Sequence, residues 1–393
     1  MQSASILPNP MLGTIARAIQ AAKGWIGFDI FMQLALYAPG LGYYANASTK
    51  FGVLPQSKGG HTSDFVTAPE MTPLFGQVLA TQIAQALQAT QTTEIFEFGA
   101  GTGALAGQVL DALDALGLHW QRYTIVEVSG HLRTLQRQRL QRWGDKVQWA
   151  DHWPNAMCGV AIGNEVLDAM PVQLLVRKDG QWFERGVAMG QNAPQDSHGS
   201  DGEPILAQAR PLIWQDQPTA LRPPVAIEGD CDYLTEIHPQ AEAFVRSLAH
   251  HLAHGAVFLV DYGFAESEFY HPQRHMGTLM CHRAHLADTD PLQDPGHKDI
   301  TAHVNFSGIA LAAQDAGLDV VGYCNQARFL MNCGILDALK TASMQDKSMA
   351  QKLLLEHEMG ELFKVIALAK PSLSANPGWI PLGFVQGDRT HTL

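Results

Sequence analysis

Short apolar runs alternate with helix-like segments between about residue 94 and residue 261. The runs fall at residues 95–98, 123–128, 147–149, 159–163 and 256–260. Between the first two runs, apolar residues recur at helical spacing over residues 105–116, and Gly117 follows where a left-handed C-terminal cap would lie. Strands that alternate with helices in this way predict a parallel α/β sheet.

The rest of the chain is expected to form further regions around this sheet. The predicted regions are an N-terminal, mainly helical region (1–90), the first part of the sheet (91–170), an insertion (171–232) and the second part of the sheet with excursions (233–393). In the first region, Thr72 and Pro73 are expected to begin a long apolar helix as its N-cap and first residue.

The insertion breaks the alternation of strands and helices. Two apolar strands flank Asp179-Gly180, a pair typical of a tight hairpin turn. Residues 191–224 are rich in turn formers and predict a long loop. Two late apolar runs, at residues 318–323 and 362–368, are expected to complete the sheet.

Composition favours a folded enzyme over a nucleic-acid-binding protein. Of the residues 46% are hydrophobic, and 26 basic against 38 acidic residues give a formal charge of −12, which disfavours contact with a phosphate backbone. The helix predicted after the second strand carries a basic cluster of Arg133, Arg137, Arg139 and Arg142, which we interpret as a solvated face.

No run of about 18 apolar residues indicates a membrane span, and residues 1–9 lack the pattern of a signal or transit peptide. A cytoplasmic location is therefore the expectation. The five cysteines are scattered without a C-x-x-C pair, so we expect reduced thiols and no metal site.

The turn after the first strand carries the strongest functional signal. Glu97 lies near the end of the apolar run, two residues before Gly99, and Gly101 and Gly103 follow at alternate positions. Alternating glycines allow a sharp turn and a close approach of ligand to backbone, while the next helix presents unpaired N–H groups. The G-x-G-x-G spacing differs from the G-x-G-x-x-G of dinucleotide enzymes and resembles the turn of S-adenosylmethionine methyltransferases.

Acidic residues follow the next two strands. Glu127 lies near the end of the second apolar run, where a carboxylate could accept hydrogen bonds from both hydroxyls of a ribose. An acid within an apolar strand is costly unless it has a partner, which favours this role over a merely solvated carboxylate. Asp151, after the third strand, is a weaker candidate for holding an adenine amino group.

Polar residues also follow the fourth strand. Because ligands bind at the carboxyl ends of strands in open α/β sheets, Asn164, Glu165 and Asp168 are expected to face the reacting group. A structural alternative is that Asn164 caps a helix whose first turn carries the two acids. A fifth strand ends similarly, in Asp261-Tyr262-Gly263.

Together these segments resemble the protein-arginine methyltransferase family that includes the mitochondrial complex I assembly methyltransferase and its bacterial relatives. The resembling segments are residues 31–37, 42–44, 64–70, 73–76, 97–103, 125–127, 164–171, 261–263, 295–296, 299–304 and 363–365. They reach from about residue 25 to about residue 370 and are far more specific in combination than the glycine turn alone.

The resemblance implies a doubly wound methyltransferase-type sheet whose last strand is antiparallel, with S-adenosylmethionine as cofactor. Glu97, the three glycines, Glu127, Asp151 and Asn164 would form the cofactor site. Arginine is always protonated and lacks an acceptor, so acidic side chains must orient it and receive its proton. Glu165 and Asp168 with Asn164 are the candidates, Asp64, Glu70 or Asp261 could assist, and His303 is a secondary proton acceptor.

Two positions depart from the family pattern. Ser63 stands where a glycine is expected, and Asn305 stands where an aspartate is expected. If the missing acid helps to orient a cationic substrate, its absence affects substrate choice or activity but not cofactor binding.

Three hypotheses follow. The principal one is an S-adenosylmethionine-dependent methyltransferase that modifies an arginine of a protein substrate, a respiratory complex I subunit or assembly partner. The second is a nicotinamide-dependent oxidoreductase that uses the same glycine turn. The third is an assembly chaperone that retains the fold without catalysing transfer, which Ser63 and Asn305 keep open.

Overall fold

The computed structural model of the protein describes residues 9–46, 67–190, 212–229, 231–283, 286–376 and 379–393. The helices are α1 (Pro10–Ala21), α2 (Phe28–Tyr37), α3 (Ala68–Met71), α4 (Leu74–Thr90), α5 (Ala104–Ala115), α6 (Gly130–Leu140), α7 (Pro239–His251), α8 (Glu266–Phe269), α9 (Phe306–Asp315), α10 (Gln326–Asn332), α11 (Ile335–Thr341), α12 (Met344–Leu354) and α13 (Pro371–Ser374). The strands are β1 (Trp25–Gly27), β2 (Glu94–Phe98), β3 (Arg122–Val126), β4 (Val147–Ala150), β5 (Met157–Asn164), β6 (Gln173–Lys178), β7 (Gln181–Met189), β8 (Leu212–Pro218), β9 (Tyr233–Ile237), β10 (Leu252–Phe264), β11 (Met280–Arg283), β12 (Leu286–Asp288), β13 (Asp299–Thr301), β14 (Val304–Asn305), β15 (Asp319–Asn325) and β16 (Phe363–Ala369).

The chain forms two compact units. Unit 1 contains the described residues of Met1–Asn46, Pro171–Ile237 and Tyr270–Ala302. Unit 2 contains those of Ala47–Met170, His238–Phe269 and His303–Leu393. The division of the chain into four regions, with boundaries at residues 90, 170 and 232, stays a prediction.

Unit 2 is built around a sheet with the order β15-β16-β10-β5-β2-β3-β4, and β14 pairs with β10. The pairs from β10 to β4 are parallel, whereas β16 runs antiparallel to both β10 and β15. The predicted doubly wound sheet with an antiparallel last strand is therefore confirmed.

Helices cover both faces of this sheet because its strands are apolar on both sides. One face of the sheet packs with α4, α5 and α10 around residues such as Ile95 and Phe258. The other packs with α7 and α9 around Phe96 and Leu259. Neighbouring residues in a strand thus enter different cores, as expected for parallel strands buried on both sides.

The C-terminal cap of α5 is the one predicted from the sequence, and the start of α4 differs from its prediction by one residue. Gly117 has φ +64° after the end of α5, and the Leu118 N–H donates to the Leu113 carbonyl, the bond of a left-handed C-terminal cap. Helix α4 begins at Leu74, one residue later than predicted, and the Leu74 N–H donates to Thr72 Oγ1 at 3.3 Å.

Unit 1 contains antiparallel sheets with its own core. The order β1-β7-β6-β9 forms one sheet, β8 pairs with β7, and β11 lies between β12 and β13 in a smaller sheet. The core includes Phe28 and Phe31 of α2 with Leu174 and Val187 of the sheet. Strand β1, from the N-terminal region, therefore shares a sheet with strands of the insertion.

The hairpin predicted in the insertion is confirmed, and the long loop after it needs a correction. Strands β6 and β7 pair across Asp179 and Gly180, which have φ +47° and +74°, the positive values that a type I′ turn requires. Residues 191–211 lie outside the described residues. Residues 212–218, however, form β8, because alternate residues of this segment can pair along the free edge of β7. The prediction of a loop was wrong for this part.

Among the residues that the structure describes, none of the helices combines the length and apolar content needed to cross a membrane.

Candidate functional site

Most of the predicted site residues of unit 2 lie at, near or just after the carboxyl ends of β2, β3, β4, β5 and β10. These ends lie at one edge of the sheet because the strands are parallel, and we refer to it as the carboxyl edge. Strand order reverses beside β2, where β3 lies on one side and β5 on the other. A crevice at such a point is where open α/β sheets bind ligands.

The glycine turn between β2 and α5 has a backbone that other residues would adopt only with strain. Gly99, Gly101 and Gly103 have φ values of +67°, +52° and +80°. A Cβ on Gly99 would also lie 2.5 Å from Cγ1 of Val166, which follows β5. Gly103 supplies no side-chain cap, so the first amide groups of α5 are available to a carboxylate ligand.

Glu97 lies beneath the turn. Its side chain is buried, and Oε2 accepts a hydrogen bond of 2.8 Å from the hydroxyl of Tyr123 on β3. Burial raises the pKa of Glu97 to about 8, although the bond from Tyr123 opposes the rise. Glu97 therefore joins β2 to β3 through this hydrogen bond in surroundings that disfavour its charged form, and its direct contact with a cofactor stays a prediction.

Glu127 lies at the end of β3 and is almost fully buried. Its Oε1 accepts a hydrogen bond of 2.8 Å from the Ser129 N–H, and its Oε2 accepts one of 3.3 Å from Gln136 Nε2. Burial raises the pKa of this carboxyl, and the two hydrogen bonds oppose the rise. An ionised carboxylate accepts about four hydrogen bonds, so capacity for two ribose hydroxyls remains.

Asp151 differs from Glu127 because it is exposed beyond the end of β4. Its carboxylate lies 2.6 Å from His152 Nδ1 and 3.9 Å from Arg133 Nη2. The hydrogen bond with His152 lowers the pKa of Asp151, so the group is charged at neutral pH. Its contact with an adenine stays a prediction.

The loop after β5 holds the predicted substrate-side residues without a helix. Residues 165–170 form bends and turns, so the alternative that Asn164 caps a helix is wrong. Glu165 has φ +54°, a strained value for a residue with a side chain, and its N–H donates to the Val260 carbonyl at 2.8 Å. Asn164 Nδ2 donates to Glu165 Oε1 at 2.8 Å. In the described part of the chain, Asn164 Oδ1 is buried without a hydrogen-bond partner.

A buried pair of carboxyl groups consists of Asp168 in this loop and Asp261 on the neighbouring strand β10. Asp261 is fully buried in the last part of β10, and its Oδ2 accepts hydrogen bonds from the N–H groups of Leu167 at 2.8 Å and Asp168 at 3.3 Å. Asp261 Oδ1 accepts one from the Tyr262 N–H at 2.9 Å. A carboxyl group from one strand thus holds the loop that follows the neighbouring strand.

Burial and mutual repulsion keep this pair from being doubly charged. Burial raises the pKa of Asp168 to about 6, although a hydrogen bond with the Tyr262 side chain opposes the rise. Burial raises the pKa of Asp261 well above its usual range, and the charge of Asp168 adds to the effect. Among the described residues, Asp168 Oδ1 is a further buried oxygen without a hydrogen-bond partner.

His303 directly precedes β14, and Asn305 is the last residue of that strand. The His303 ring contacts those of Tyr262 and Phe264, with centroids 5.2 and 5.3 Å apart, so His303 reaches the carboxyl edge through an aromatic neighbour of Asp168. Its role as a proton acceptor stays a prediction. Buried Asn305 caps α9, with its Oδ1 accepting from the Gly308 N–H at 3.3 Å. Ser63 and Asp64 lie outside the described residues.

The comparisons with known proteins decide the class of this site. A family model described as an S-adenosyl-L-methionine-dependent methyltransferase matches residues 78–324. The chain belongs to this methyltransferase family. A similar crystal structure is that of a Burkholderia thailandensis protein described as a methyl transferase and bound to S-adenosyl-homocysteine. It is 43% identical, covers 98% of this chain and 96% of its own, and superimposes with a TM-score of 0.87.

Curated relatives carry a more specific name. Protein arginine methyltransferase NDUFAF7 homolog, mitochondrial, of Caenorhabditis elegans is 27% identical, and the alignment covers 87% of this chain and 82% of that protein. The Homo sapiens protein arginine methyltransferase NDUFAF7, mitochondrial, is 25% identical over 92% of this chain and 83% of its own. The family resemblance read from the sequence is confirmed.

The cofactor of this methyltransferase is S-adenosylmethionine, as predicted. The residues present fit it, because the glycine turn offers backbone amides to a carboxylate and Glu127 retains acceptors for hydroxyls. The buried Asn164 Oδ1 offers a further acceptor toward a cationic ligand. When bound, the cofactor supplies a methyl group on a sulfonium sulfur. The nicotinamide alternative is not favoured.

The expected cytoplasmic location was wrong. Curated relatives that match most of the chain are named mitochondrial, which points away from the cytoplasm.

Two residues at the glycine turn were missed or assigned differently from the sequence. Gln136 is fully buried and bonds to Gly101 and Glu127; its signal was a position between Leu132 and Leu140 on the inner face of α6. Glu70, considered a possible substrate acid, instead accepts hydrogen bonds from the Thr102 hydroxyl and from Arg139.

The basic cluster on α6 combines exposure with specific pairing. Arg137 and Arg139 on α6 and Arg142 just after it are exposed, as the interpretation of a solvated face predicts, whereas Arg133 is half-buried. Arg142 pairs with Asp111, whereas Arg139 Nη1 lies 3.2 Å from Glu70 Oε1 and 2.5 Å from Thr102 Oγ1. The Arg139 contacts attach α6 and α3 to the glycine turn.

Proposed function

We propose that this methyltransferase methylates an arginine of a protein substrate, and that the substrate is a respiratory complex I subunit or one of its assembly partners. The observation that supports this proposal best is the group of acids at the carboxyl edge, Glu165 and the buried pair Asp168 and Asp261. The names of the curated relatives point to the same acceptor.

A guanidinium group needs this kind of environment. It carries a positive charge at all accessible pH values and presents five donors in a plane, so it is oriented by acceptors and by negative charge. Asn164 Oδ1 and Asp168 Oδ1 are buried oxygens that lack hydrogen-bond partners among the described residues. Glu165, which follows Asn164 in the sequence, accepts a hydrogen bond from the Asn164 amide. We assign the orientation of the acceptor nitrogen to Asn164 and Glu165.

The acceptor nitrogen must lose a proton as it gains a methyl group. Its lone pair forms the new N–C bond, the C–S bond breaks, and the sulfonium becomes the neutral thioether of S-adenosylhomocysteine. Asp168 is our candidate for the proton acceptor, because a pKa of about 6 leaves it mostly ionised at neutral pH yet able to hold a proton. His303 is a secondary candidate, behind Tyr262. Alignment and charge stabilisation supply the remaining rate enhancement.

The test is a comparison of protein arginine methylation in the source organism with and without this gene by mass spectrometry. One arginine of a complex I subunit or assembly factor should lose a mass of about 14 Da for each missing CH₂. Methylation of that protein in vitro by the purified enzyme is the control for a direct effect. Persistent methylation without the gene, or modification of a lysine, would refute the proposal. Tight cofactor binding with no transfer would favour the assembly chaperone.

A further inference from the structure

Gln136 has an unusual environment for an amide side chain on a helix rich in charged residues. Gln136 is fully buried, whereas Gln138, two residues further along the same helix, is exposed. Gln136 Nε2 donates to the Gly101 carbonyl at 2.8 Å and to Glu127 Oε2 at 3.3 Å. Gln136 Oε1 accepts from the indole N–H of Trp149 at 2.9 Å.

The chemistry of these partners determines the orientation of the amide. An indole N–H can only donate, so the oxygen of Gln136 must face Trp149. The NH₂ group then faces a carbonyl and a carboxylate, which can only accept. All three polar contacts are therefore mutually consistent, and no rotated arrangement of the amide would satisfy them.

The three partners belong to the parts of unit 2 that form the cofactor site. Gly101 is the central glycine of the turn after β2, Glu127 directly follows β3, and Trp149 lies in β4. The packing is also close, because a Cβ on Gly103 would lie 3.3 Å from Gln136 Cγ. One side chain thus joins the turn that faces the amino-acid part of the cofactor to the acid that faces its ribose.

We propose that Gln136 is a positioning residue for S-adenosylmethionine, which holds the Gly101 turn and the Glu127 carboxylate in the arrangement that binds the cofactor. By donating to both groups, the NH₂ of Gln136 fixes the orientation of the Glu127 side chain and that of the Gly101 peptide group. Without this group, a buried carboxylate and a carbonyl would lose their shared donor, and each would rotate toward another partner. Gln136 itself needs no contact with the cofactor.

The first experiment measures binding of S-adenosylmethionine and S-adenosylhomocysteine by titration calorimetry to full-length Gln136→Leu. The expected result is at least tenfold weaker binding of both ligands. Gln138→Leu is the matched control, because it makes the same chemical change on the exposed side of α6, and it should bind within twofold of the unchanged protein. Affinity of Gln136→Leu equal to that of the control would overturn the proposal.

A second experiment separates positioning from a general loss of structure. Because Gln136 acts partly through Glu127, the loss caused by Gln136→Leu should be clearly smaller in a protein that already carries Glu127→Ala, where only the contact with Gly101 remains to be lost. An equal loss in both backgrounds would show that Gln136 does not position this carboxylate and would overturn the inference.

Gln136→Glu provides an independent variant if the leucine protein fails to fold. It preserves size and the acceptor for Trp149, but it places a carboxylate against Gly101 O and Glu127. Binding should be at least tenfold weaker at pH 8, while thermal unfolding without ligand should confirm a folded protein. Unchanged affinity in this folded variant would equally refute the role of the NH₂ group.

Discussion

Replacing Asp168 with asparagine should make the protein more stable and less active. Burial holds the pKa of Asp168 at about 6 instead of 3.8. At 1.36 kcal/mol for each pH unit, this difference opposes folding by about 3 kcal/mol when the group is ionised. Asparagine has no charge to bury and still offers Tyr262 an acceptor, though a weaker one by about 1 kcal/mol. A net gain in unfolding free energy of about 2 kcal/mol is therefore expected at pH 8.

The dependence on pH has a definite sign. Between pH 3.8 and about 6 the folded protein holds a proton on Asp168 that the unfolded chain has released, so stability falls as the pH rises through this window. The advantage of Asp168→Asn should accordingly be complete above about pH 7 and shrink to less than half at pH 4.5. Denaturant unfolding at both pH values measures it.

Methyl transfer in the same variant should fall by at least tenfold, equivalent to about 1.4 kcal/mol at the transition state, because asparagine cannot accept the proton. Asp337→Asn is the control, since that carboxylate is exposed on α11, away from the assigned site residues, and its pKa is lowered. An Asp168→Asn protein that is less stable at pH 8, or equally stabilised at both pH values, would show that the buried charge of Asp168 does not lower the free energy of unfolding.

Three further predictions concern neighbouring residues. Glu165→Gln should slow single-turnover transfer to a purified acceptor at least tenfold with little change in S-adenosylmethionine affinity, because it removes charge and keeps shape; full activity would refute its substrate role. Gly101→Val should abolish cofactor binding in calorimetric titration, since φ is +52° and a side chain would block the turn; unchanged affinity would remove the turn from the site. Glu127→Ala should lose about 1–3 kcal/mol of cofactor binding and Glu127→Gln less, because one acceptor remains. Equal affinities for these proteins and the unchanged one would make Glu127 a mere strand-end acid.

Most of the sheet could be predicted from the sequence because its signals are local. An apolar run of strand length, a glycine at a positive φ such as Gly117, and the Asp179-Gly180 turn each specify conformation over a few residues. Strand β8 escaped prediction, since it has no pronounced apolar alternation and is stabilised by pairing with β7. The family resemblance supplied the antiparallel last strand, which local pattern alone does not indicate.

The same distinction holds at the site. The sequence by itself determined the glycine turn, the acid after the second strand and the polar loop after the fourth, because each is a short motif at the end of a strand. Only the tertiary structure decided that Asp261 holds the backbone of Asp168, 93 residues earlier, and that Gln136 joins Gly101 to Glu127. Such contacts depend on which side chains a distant strand or helix brings into a buried space. Burial also raises the pKa of Asp168 and Asp261. A carboxylate has its usual pKa in the unfolded chain, where water solvates it, and it loses that solvation when the sheet and its helices enclose it.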